Sequence, residues 1–523
     1  METWFLVISA LCISAILKAF FNLIVPSQIP GAKLPPGPPK FPIIGNFLWL
    51  HRYESFSDLG PILRSLIPKF GPMVTLHVTS YLTIFVSDRS VAHQALIENS
   101  SVFADRPPAL TIGKIISRNQ HNIGSAAYGP TWRILRRNLT VEILNPSRVN
   151  SYSQARIRVL HMLKEQLIKS QNTGDSIRVV DYFRHAMFCL LGLMCFGAQL
   201  DENQIKKVEV VQRDLLSNIH RFDILNFWPR VTKILFYRLW KEFLQIQRNR
   251  DDVFIPLIRA RKKSKEENLI NKMKEDKERK EDDDFILSYI DTLLDLQLPE
   301  TKRKLDEGEI VALCAEFLNA GTDPTTTALE WIMANLVKYP HVQEKLYMEI
   351  KGVVGDAAVE VKEDDLNKMP YLKAVVLEGL RRHPPAHFLF HGVTKDVILN
   401  DFLVPRKAII VFFIEEMGLD SKIWEDPLAF NPERFLHGEE EVDLTGRTEI
   451  KMIPFGAGRR ICPAHSLAML HLEYFVANLV WFSKWKAKDG EDVDLSEKKE
   501  LTFVMKNPLQ ACIYSWPRLG MVG

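Results

Sequence analysis

Apolar residues run almost unbroken from residue 3 to residue 25, with Lys18 and Asn22 as the strong interruptions. A helix needs about 20 such residues to cross a bilayer. The pattern then changes. Leu34-Pro35-Pro36-Gly37-Pro38-Pro39 cannot be helical, and prolines this dense make a semi-rigid spacer. Apolar residues at Val74, Leu76 and Val78, followed by Thr83-Ile84-Phe85-Val86, predict a hairpin of strands over 74–87. Much of 88–350 reads as helical segments broken by proline and glycine. The strongest helical pattern covers 306–339, with Asp306, Glu307 and Glu309 suited to its first turn and Pro340 just past its end. At 1.5 Å per residue it would span roughly 50 Å. A second helix is predicted over 363–382, ended by Pro384-Pro385, and short strands over 397–399 and 408–413. The spacing of Leu467, Met469, Leu470, Leu472 and Phe475 predicts a helix that starts just after Cys462. Residues 259–284 form a charge run, from Arg259-Ala260-Arg261-Lys262-Lys263 to Asp282-Asp283-Asp284, that reads as a solvated loop or frayed helix.

The chain has 523 residues, 46% hydrophobic and 25% charged, which is enough apolar material for a large core. Three parts follow: a membrane anchor over 1–25, a proline-rich hinge over 26–46 and a catalytic body over 47–523. The apolar run reads as a retained anchor and not as a cleaved signal peptide. Glu2 stands where a basic n-region would be, and Pro26-Ser27-Gln28 follows in place of a cleavage site. Lys33 and Lys40, just past the run, place the bulk of the chain in the cytosol. A net charge of +3 with no dense basic patch argues against nucleic acid as a partner. The six cysteines form no C-x-x-C pair, which argues against zinc ribbons and a disulfide framework and for a reducing compartment.

The candidate chemistry concentrates at Pro454-Phe455-Gly456-Ala457-Gly458-Arg459-Arg460-Ile461-Cys462-Pro463-Ala464. A thiolate must stay deprotonated to bind metal, so it needs local positive potential. Arg459 and Arg460 can supply charge, and the helix that follows would aim backbone N–H groups near the sulfur. Gly456 and Gly458 allow a tight turn, and Phe455 can shield the sulfur from water. A buried core thiol would explain Cys462 alone, but not the glycines, arginines and proline around it. Elsewhere, Glu378 and Arg381 stand at i and i+3 on an apolar helix. If they are buried, the arginine fork needs another partner, which Pro432-Glu433-Arg434-Phe435 could provide. Trp132 and Arg136 share a helix face at i and i+4. His383, His387 and His391 are spaced four apart, but Pro384 and Pro385 break the helix that would align them for zinc. Asn138-Leu139-Thr140 fits a glycosylation pattern that a cytosolic body would leave unmodified.

The cysteine run resembles the signature of the cytochrome P450 superfamily, Phe-Gly-x-Gly-x-Arg-x-Cys-x-Gly. It matches at Phe455, Gly456, Gly458, Arg460 and Cys462 and departs at Ala464. The proline hinge, W-x-x-x-R, E-x-x-R and P-E-R-F appear in the family's order. Phe103-Ala104-Asp105-Arg106-Pro107 and Trp424-Glu425-Asp426-Pro427 are similar to plant microsomal members of the A-type group. Met1-Glu2-Thr3-Trp4 and Asn507-Pro508-Leu509-Gln510-Ala511 are most similar to family 89, subfamily A.

The resemblance implies a mainly α cytochrome P450 fold, a triangular helical prism with small β-sheets behind an N-terminal transmembrane helix. It implies haem b with Cys462 as the axial metal ligand, in which thiolate ligation favours O–O cleavage. Cofactor contacts would come from Trp132, Arg136, His391, Phe455 and Arg460, and Glu378, Arg381 and Arg434 would lock the haem-binding core. In Ala320-Gly321-Thr322-Asp323-Pro324-Thr325, Gly321 would let the helix lie close to the haem face. Asp323 would be the acid of the family's acid–alcohol pair. The alcohol's place is taken by Pro324, and Thr325 comes one residue late, about 100° further round the helix. Phe317, Ala320, His387, Phe388, Leu389 and Phe503 are candidate pocket residues by position. The activity implied is NADPH- and O₂-dependent monooxygenation of an apolar or amphipathic small molecule. Electrons would come from an NADPH–cytochrome P450 reductase at the endoplasmic reticulum membrane, with membrane lipid as a second partner. Pro324 keeps open a haem-thiolate isomerase or dehydratase, and an inactive haem-binding paralogue is the other alternative.

Overall fold

The computed structural model of the chain describes residues 32–39, 59–78, 81–171, 176–274, 286–436, 442–488 and 492–516. The predicted anchor over 1–25 and most of the hinge lie outside them. The chain forms two compact units. One gathers the residues up to Pro107 with His387–Ile423 and Asp443–Ile461, and the other gathers Pro108–Ala386, Trp424–Val442 and Cys462–Gly523.

The smaller unit is built on a four-stranded sheet. Helix α1 (Leu59–Phe70) precedes the expected hairpin, strands β1 (Met73–Val78) and β2 (Tyr81–Val86). Strand β3 (Phe388–Gly392) and strand β4 (Ile409–Phe413) complete it in the order β1-β2-β4-β3, with β2 and β4 parallel and the other pairs antiparallel. The Ile-Ile-Val-Phe-Phe run of β4 is apolar throughout because both faces are covered. Val411 and Phe413 pack with Ile62, Leu63 and Leu66 of α1, and Ile410 and Phe412 with Ile84 and Val86. The strand over Val397–Leu399 matches the sequence reading. Its antiparallel partner, Phe402–Val404, was not foreseen. Between them Asn400 and Asp401 take φ of 47° and 65°, residue types that tolerate this conformation in a tight hairpin turn. Residues 32–39 are docked rather than free. The Thr75 N–H donates to the Pro36 carbonyl at 2.9 Å, and the Leu403 N–H to the Lys33 carbonyl at 2.8 Å.

The larger unit is mainly helical. Its elements are helix α2 (Pro130–Asn138), α3 (Val179–Phe196), α4 (Tyr237–Lys274), α5 (Glu307–Lys338), α6 (Pro370–Arg382) and α7 (His465–Phe482), with others between them. Late in the chain come β5 (Lys484–Ala487), the antiparallel hairpin of β6 (Glu497–Lys499) and β7 (Phe503–Met505), and β8 (Gln510–Tyr514). The 32 residues of α5 make a helix roughly 48 Å long. Its start is the predicted one. Asp306 accepts from the Glu309 N–H at 2.8 Å, and Glu309 reaches back to the Asp306 N–H at 2.9 Å, a reciprocal cap. Among the described residues α3 is the one helix long and apolar enough to cross a bilayer, but 67% of it is buried inside the protein. It is a core helix lying against α5.

Two expectations need correction. The predicted helix over 363–382 is two, Glu363–Leu366 and α6, because Pro370 lacks the N–H that would continue the first and begins the second. The charge run is helical through Lys274 as part of α4. Within it Arg261 is 8% exposed and donates to Asp291 and to the carbonyls of Gly197 and Ile286, both at 2.8 Å. Residues 275–285 of that run lie outside the described ones.

Candidate active site

Cys462 stands three residues before α7, and its carbonyl is met by His465 Nδ1 at 3.2 Å. Burial pushes its thiol up. The Ala464 N–H and the charge of Arg136 pull it back down. A cation that the loop sequence did not point to, Arg136 of α2, acts on the sulfur. In the smaller unit, Arg460 Nε donates to the Ala104 carbonyl at 2.7 Å and Arg459 Nε to Ser100 Oγ at 3.2 Å. Gly458 takes φ of 70°, and a Cβ there would lie 2.0 Å from the Leu96 carbonyl oxygen, so both the turn and the packing require glycine at this position. Position 464 has φ of −102°, which alanine adopts without strain.

Helix α2 starts with Pro130 at its first turn, where a missing N–H costs nothing. Trp132 is 7% exposed, with its ring 5.4 Å from that of Tyr128. One turn later, desolvation lowers the pKa of Arg136, and the Cys462 sulfur is the charge that opposes this.

The helix α5 carries the remaining predicted catalytic residues. A Cβ on Gly321 would stand 2.7 Å from Leu191 Cδ1 of α3, so glycine there lets the Leu191 side chain of α3 pack close against the helix. Asp323 is half-buried, and burial raises its pKa against the charges of Arg184 and Arg213. Pro324 lies inside a helix that continues past it. It has no N–H to give the Ala320 carbonyl. Thr325 is 7% exposed. The hydroxyls of Thr322 and Thr326 are buried with no hydrogen-bond partner among the described residues. Thr326, at i+3, shares the helix face of Asp323. That spacing was readable in the sequence, and the family's i+1 pattern drew attention away from it.

The Glu378 carboxylate is the centre of the expected triad. Arg381 Nε donates to Oε2 at 2.7 Å and its Nη2 to Oε1 at 2.8 Å, while Arg434 Nε reaches Oε1 at 3.2 Å. The side chains of Glu378 and Arg381 are fully buried, and that of Arg434 is 9% exposed.

Across the chain as a whole, the cytochrome P450 family profile matches residues 35–513. The chain belongs to the cytochrome P450 family. It is accordingly a haem-thiolate monooxygenase. It is 49% identical to cytochrome P450 89A9 of Arabidopsis thaliana over 98% of both chains, in keeping with family 89, subfamily A. It is 31% identical to an isoflavone 2'-hydroxylase of Medicago truncatula over 99% of both, and 32% identical to an isoflavone 3'-hydroxylase of the same plant over 92% of this chain and 93% of that one. A solved zebra fish cytochrome P450, from a structure with abiraterone, shares the fold with a TM-score of 0.68 at 22% identity, covering 87% of this chain and 98% of that one.

The residues of the larger unit fit the group this family carries. Against the cost of burial, the Ala464 N–H and the charge of Arg136 favour the Cys462 thiolate, the form that binds a metal cation. Arg136, desolvated and within reach of the charge on that sulfur, suits an anionic cofactor edge. His391 of this cytochrome P450 is more constrained. Its Nδ1 meets the Phe103 carbonyl at 2.6 Å and must be the donor, since a carbonyl only accepts. Burial lowers its pKa to about 3, helped by the charges of Arg106 and Arg460. The neutral ring presents Nε2 as an acceptor, so it would donate to a propionate only after gaining a second proton. The other two histidines of the four-residue spacing are engaged elsewhere. His383 stacks on Trp331 at 3.9 Å, and His387 Nδ1 meets Glu415 at 3.0 Å. Among the predicted pocket residues, Phe388 stacks on Phe413 at 4.8 Å as part of the sheet packing, and Phe317 lies 5.1 Å from Tyr289.

Proposed function

We propose that this cytochrome P450 hydroxylates an apolar or amphipathic small molecule of plant specialised or catabolic metabolism, with Cys462 as the axial ligand of haem b. The observation that carries the reading is that the Ala464 N–H and the charge of Arg136 both favour the Cys462 thiolate. Relatives whose names describe isoflavone hydroxylases support aromatic plant metabolites as a class of substrate to try first. The bound haem would supply oxygen activation, using electrons from NADPH passed on by a cytochrome P450 reductase.

The protein's part is binding, orientation and proton handling. Trp132 and Arg136 would hold the anionic edge of the cofactor. For Phe455, Arg460 and His391 the support is the motif together with each residue's own surroundings. Gly321 keeps α5 tight against α3. Burial favours the protonated carboxyl of Asp323, the state that can deliver a proton. Pro324 removes the hydroxyl expected beside it, leaving Thr325 or the buried hydroxyls of Thr322 and Thr326 to serve in its place.

The same proposal divides the chain into a single-pass anchor over 1–25, a hinge over 26–46 and a cytosolic catalytic body over 47–523 at the endoplasmic reticulum membrane. The apolar run, Lys33 and Lys40 support it. So does an exposed apolar surface on the larger unit: Trp228 is 81% exposed, Ile234 79%, Leu235 71% and Tyr237 65%. Arg230, Lys233 and Arg238 are interleaved with it, a composition suited to an anionic lipid surface.

The test is a spin-state screen of plant phenolics and other apolar metabolites on the ferric holoenzyme, followed by turnover of each hit with reductase. NADPH- and O₂-dependent formation of a hydroxylated product supports the reading. Equal product without NADPH or O₂ would overturn the hydroxylation proposed here.

A further inference from the structure

One face of α5 reaches the C-terminal segment at three points, two in the hairpin of β6 and β7 and one at Leu509, just before β8. Thr327, Glu330 and Trp331 stand at i, i+3 and i+4. They begin one turn beyond Asp323. Thr327 Oγ1 meets Thr502 Oγ1 at 2.8 Å, Trp331 Nε1 donates to the Phe503 carbonyl at 2.9 Å, and Glu330 Oε1 accepts the Leu509 N–H at 3.0 Å. From the other side, the Phe503 N–H donates to the Pro385 carbonyl at 3.0 Å, just beyond the end of α6. All three α5 side chains are buried, and Trp331 is locked in turn by its parallel stack on His383. Both backbone polar groups of Phe503 are therefore spoken for, and the residue has little freedom to shift.

This arrangement is more than the hairpin needs for its own pairing, which Glu497–Lys499 already supplies. Side chains buried at the middle of a long helix, each reaching a different point of one loop, set where that loop stands. A buried carbonyl whose donor is removed must find another or move.

We propose that Thr327, Glu330 and Trp331 are positioning residues that fix Phe503, and through it the shape of the substrate pocket. The inference rests on the reading of Phe503 as a pocket residue of a haem-thiolate enzyme. The clasp joins the helix that bears Asp323 to the loop that would face the substrate, so it sets selectivity for large ligands and leaves small ones unaffected.

Equilibrium binding of two probes to the ferric holoenzyme tests this, read by the Soret shift on nitrogen ligation. Imidazole is too small to reach the loop; N-(biphenylmethyl)imidazole is not. Trp331→Phe deletes the N–H and keeps a ring to stack on His383, and Thr327→Val deletes the hydroxyl at similar volume. Each should weaken the large probe about tenfold and leave imidazole within about twofold. Thr327→Ser should restore wild-type binding, which loss of general stability would not predict. Phe503→Ala reports the underlying reading. If it alters the large probe while Trp331→Phe and Thr327→Val bind it like wild type, the clasp does not position the pocket. If Phe503→Ala itself leaves the large probe unchanged, Phe503 does not line the pocket and the inference falls with that reading.

Discussion

Replacing Arg381 by alanine should be among the most damaging single changes in the larger unit. Its guanidinium makes the two bonds to Glu378 described above, and Nη1 and Nη2 also donate to the carbonyls of Pro427 at 2.9 Å and Ala429 at 3.2 Å. Without it, the fully buried Glu378 carboxylate keeps only Arg434 at 3.2 Å and the Asn431 N–H at 2.8 Å. Breaking a buried ion pair costs about 3–5 kcal/mol. The two orphaned carbonyls place this case at the upper end of that range. Arg434→Ala removes the longer contact to Glu378 and two bonds to carbonyls that water can reach, Glu425 at 2.9 Å and Asp426 at 3.3 Å, but leaves the buried bidentate pair intact, a loss of about 2 kcal/mol. The geometry therefore ranks the variants Arg381→Ala, then Arg434→Ala, then wild type, in order of rising resistance to urea. Arg381→Ala should also be recovered without haem. The assay is a urea titration followed by tryptophan fluorescence, alongside the haem content of the purified protein. Full haem loading of Arg381→Ala, or a lower urea midpoint for Arg434→Ala than for Arg381→Ala, would refute the reasoning.

Other outcomes follow from the same structure. Burial raises the Glu330 carboxyl from 4.5 to about 7, opposed by the Leu509 N–H and the charges of Arg184 and Arg178, with Asp181 adding to the rise. The unfolded chain ionises first, so this contribution to stability is complete below pH 4.5 and lost as the pH rises to about 7, a change of roughly 3 kcal/mol at most. Glu330→Gln should flatten that part of the urea midpoint against pH, and an unchanged profile would count against the burial argument. Pro324→Thr should release less hydrogen peroxide per NADPH than wild type when a true substrate is turning over. Pro324→Ala serves as the backbone control, and equal coupling in all three would free proton delivery from this position. Removing residues 1–25 should weaken membrane association and leave haem binding intact. Protection of the catalytic body from protease in sealed microsomes would overturn the cytosolic orientation.

What could be read in advance was chemistry that a short stretch of chain must supply for itself. The cysteine loop needs Gly458 at positive φ within four residues of Cys462, and the buried triad needs Glu378 and Arg381 one helical turn apart. The reciprocal cap at Asp306 and Glu309 and the hairpin over 74–87 are local in the same sense. What could not be read depends on which surfaces meet. Arg136 of α2 acts on Cys462 from 326 positions away. Arg261 sits among lysines and acids that suggest solvent, yet the fold aims it at Asp291. The neighbour that packs against Gly321 is Leu191, which is 130 positions away and on another helix. The clasp at Thr327, Glu330 and Trp331 has no motif, because its partners are mostly backbone groups, and any sequence has those. The break before Pro370 was legible from the proline alone, but the apolar period running on across it masked the signal.

The central claim is that Cys462 is the thiolate ligand of a haem. The most direct measurement is the absorption spectrum of the reduced, CO-bound protein, wild type beside Cys462→Ser. Wild type should show the red-shifted Soret band of thiolate ligation, and Cys462→Ser should lack it. A substituted protein that keeps the band would contradict the account.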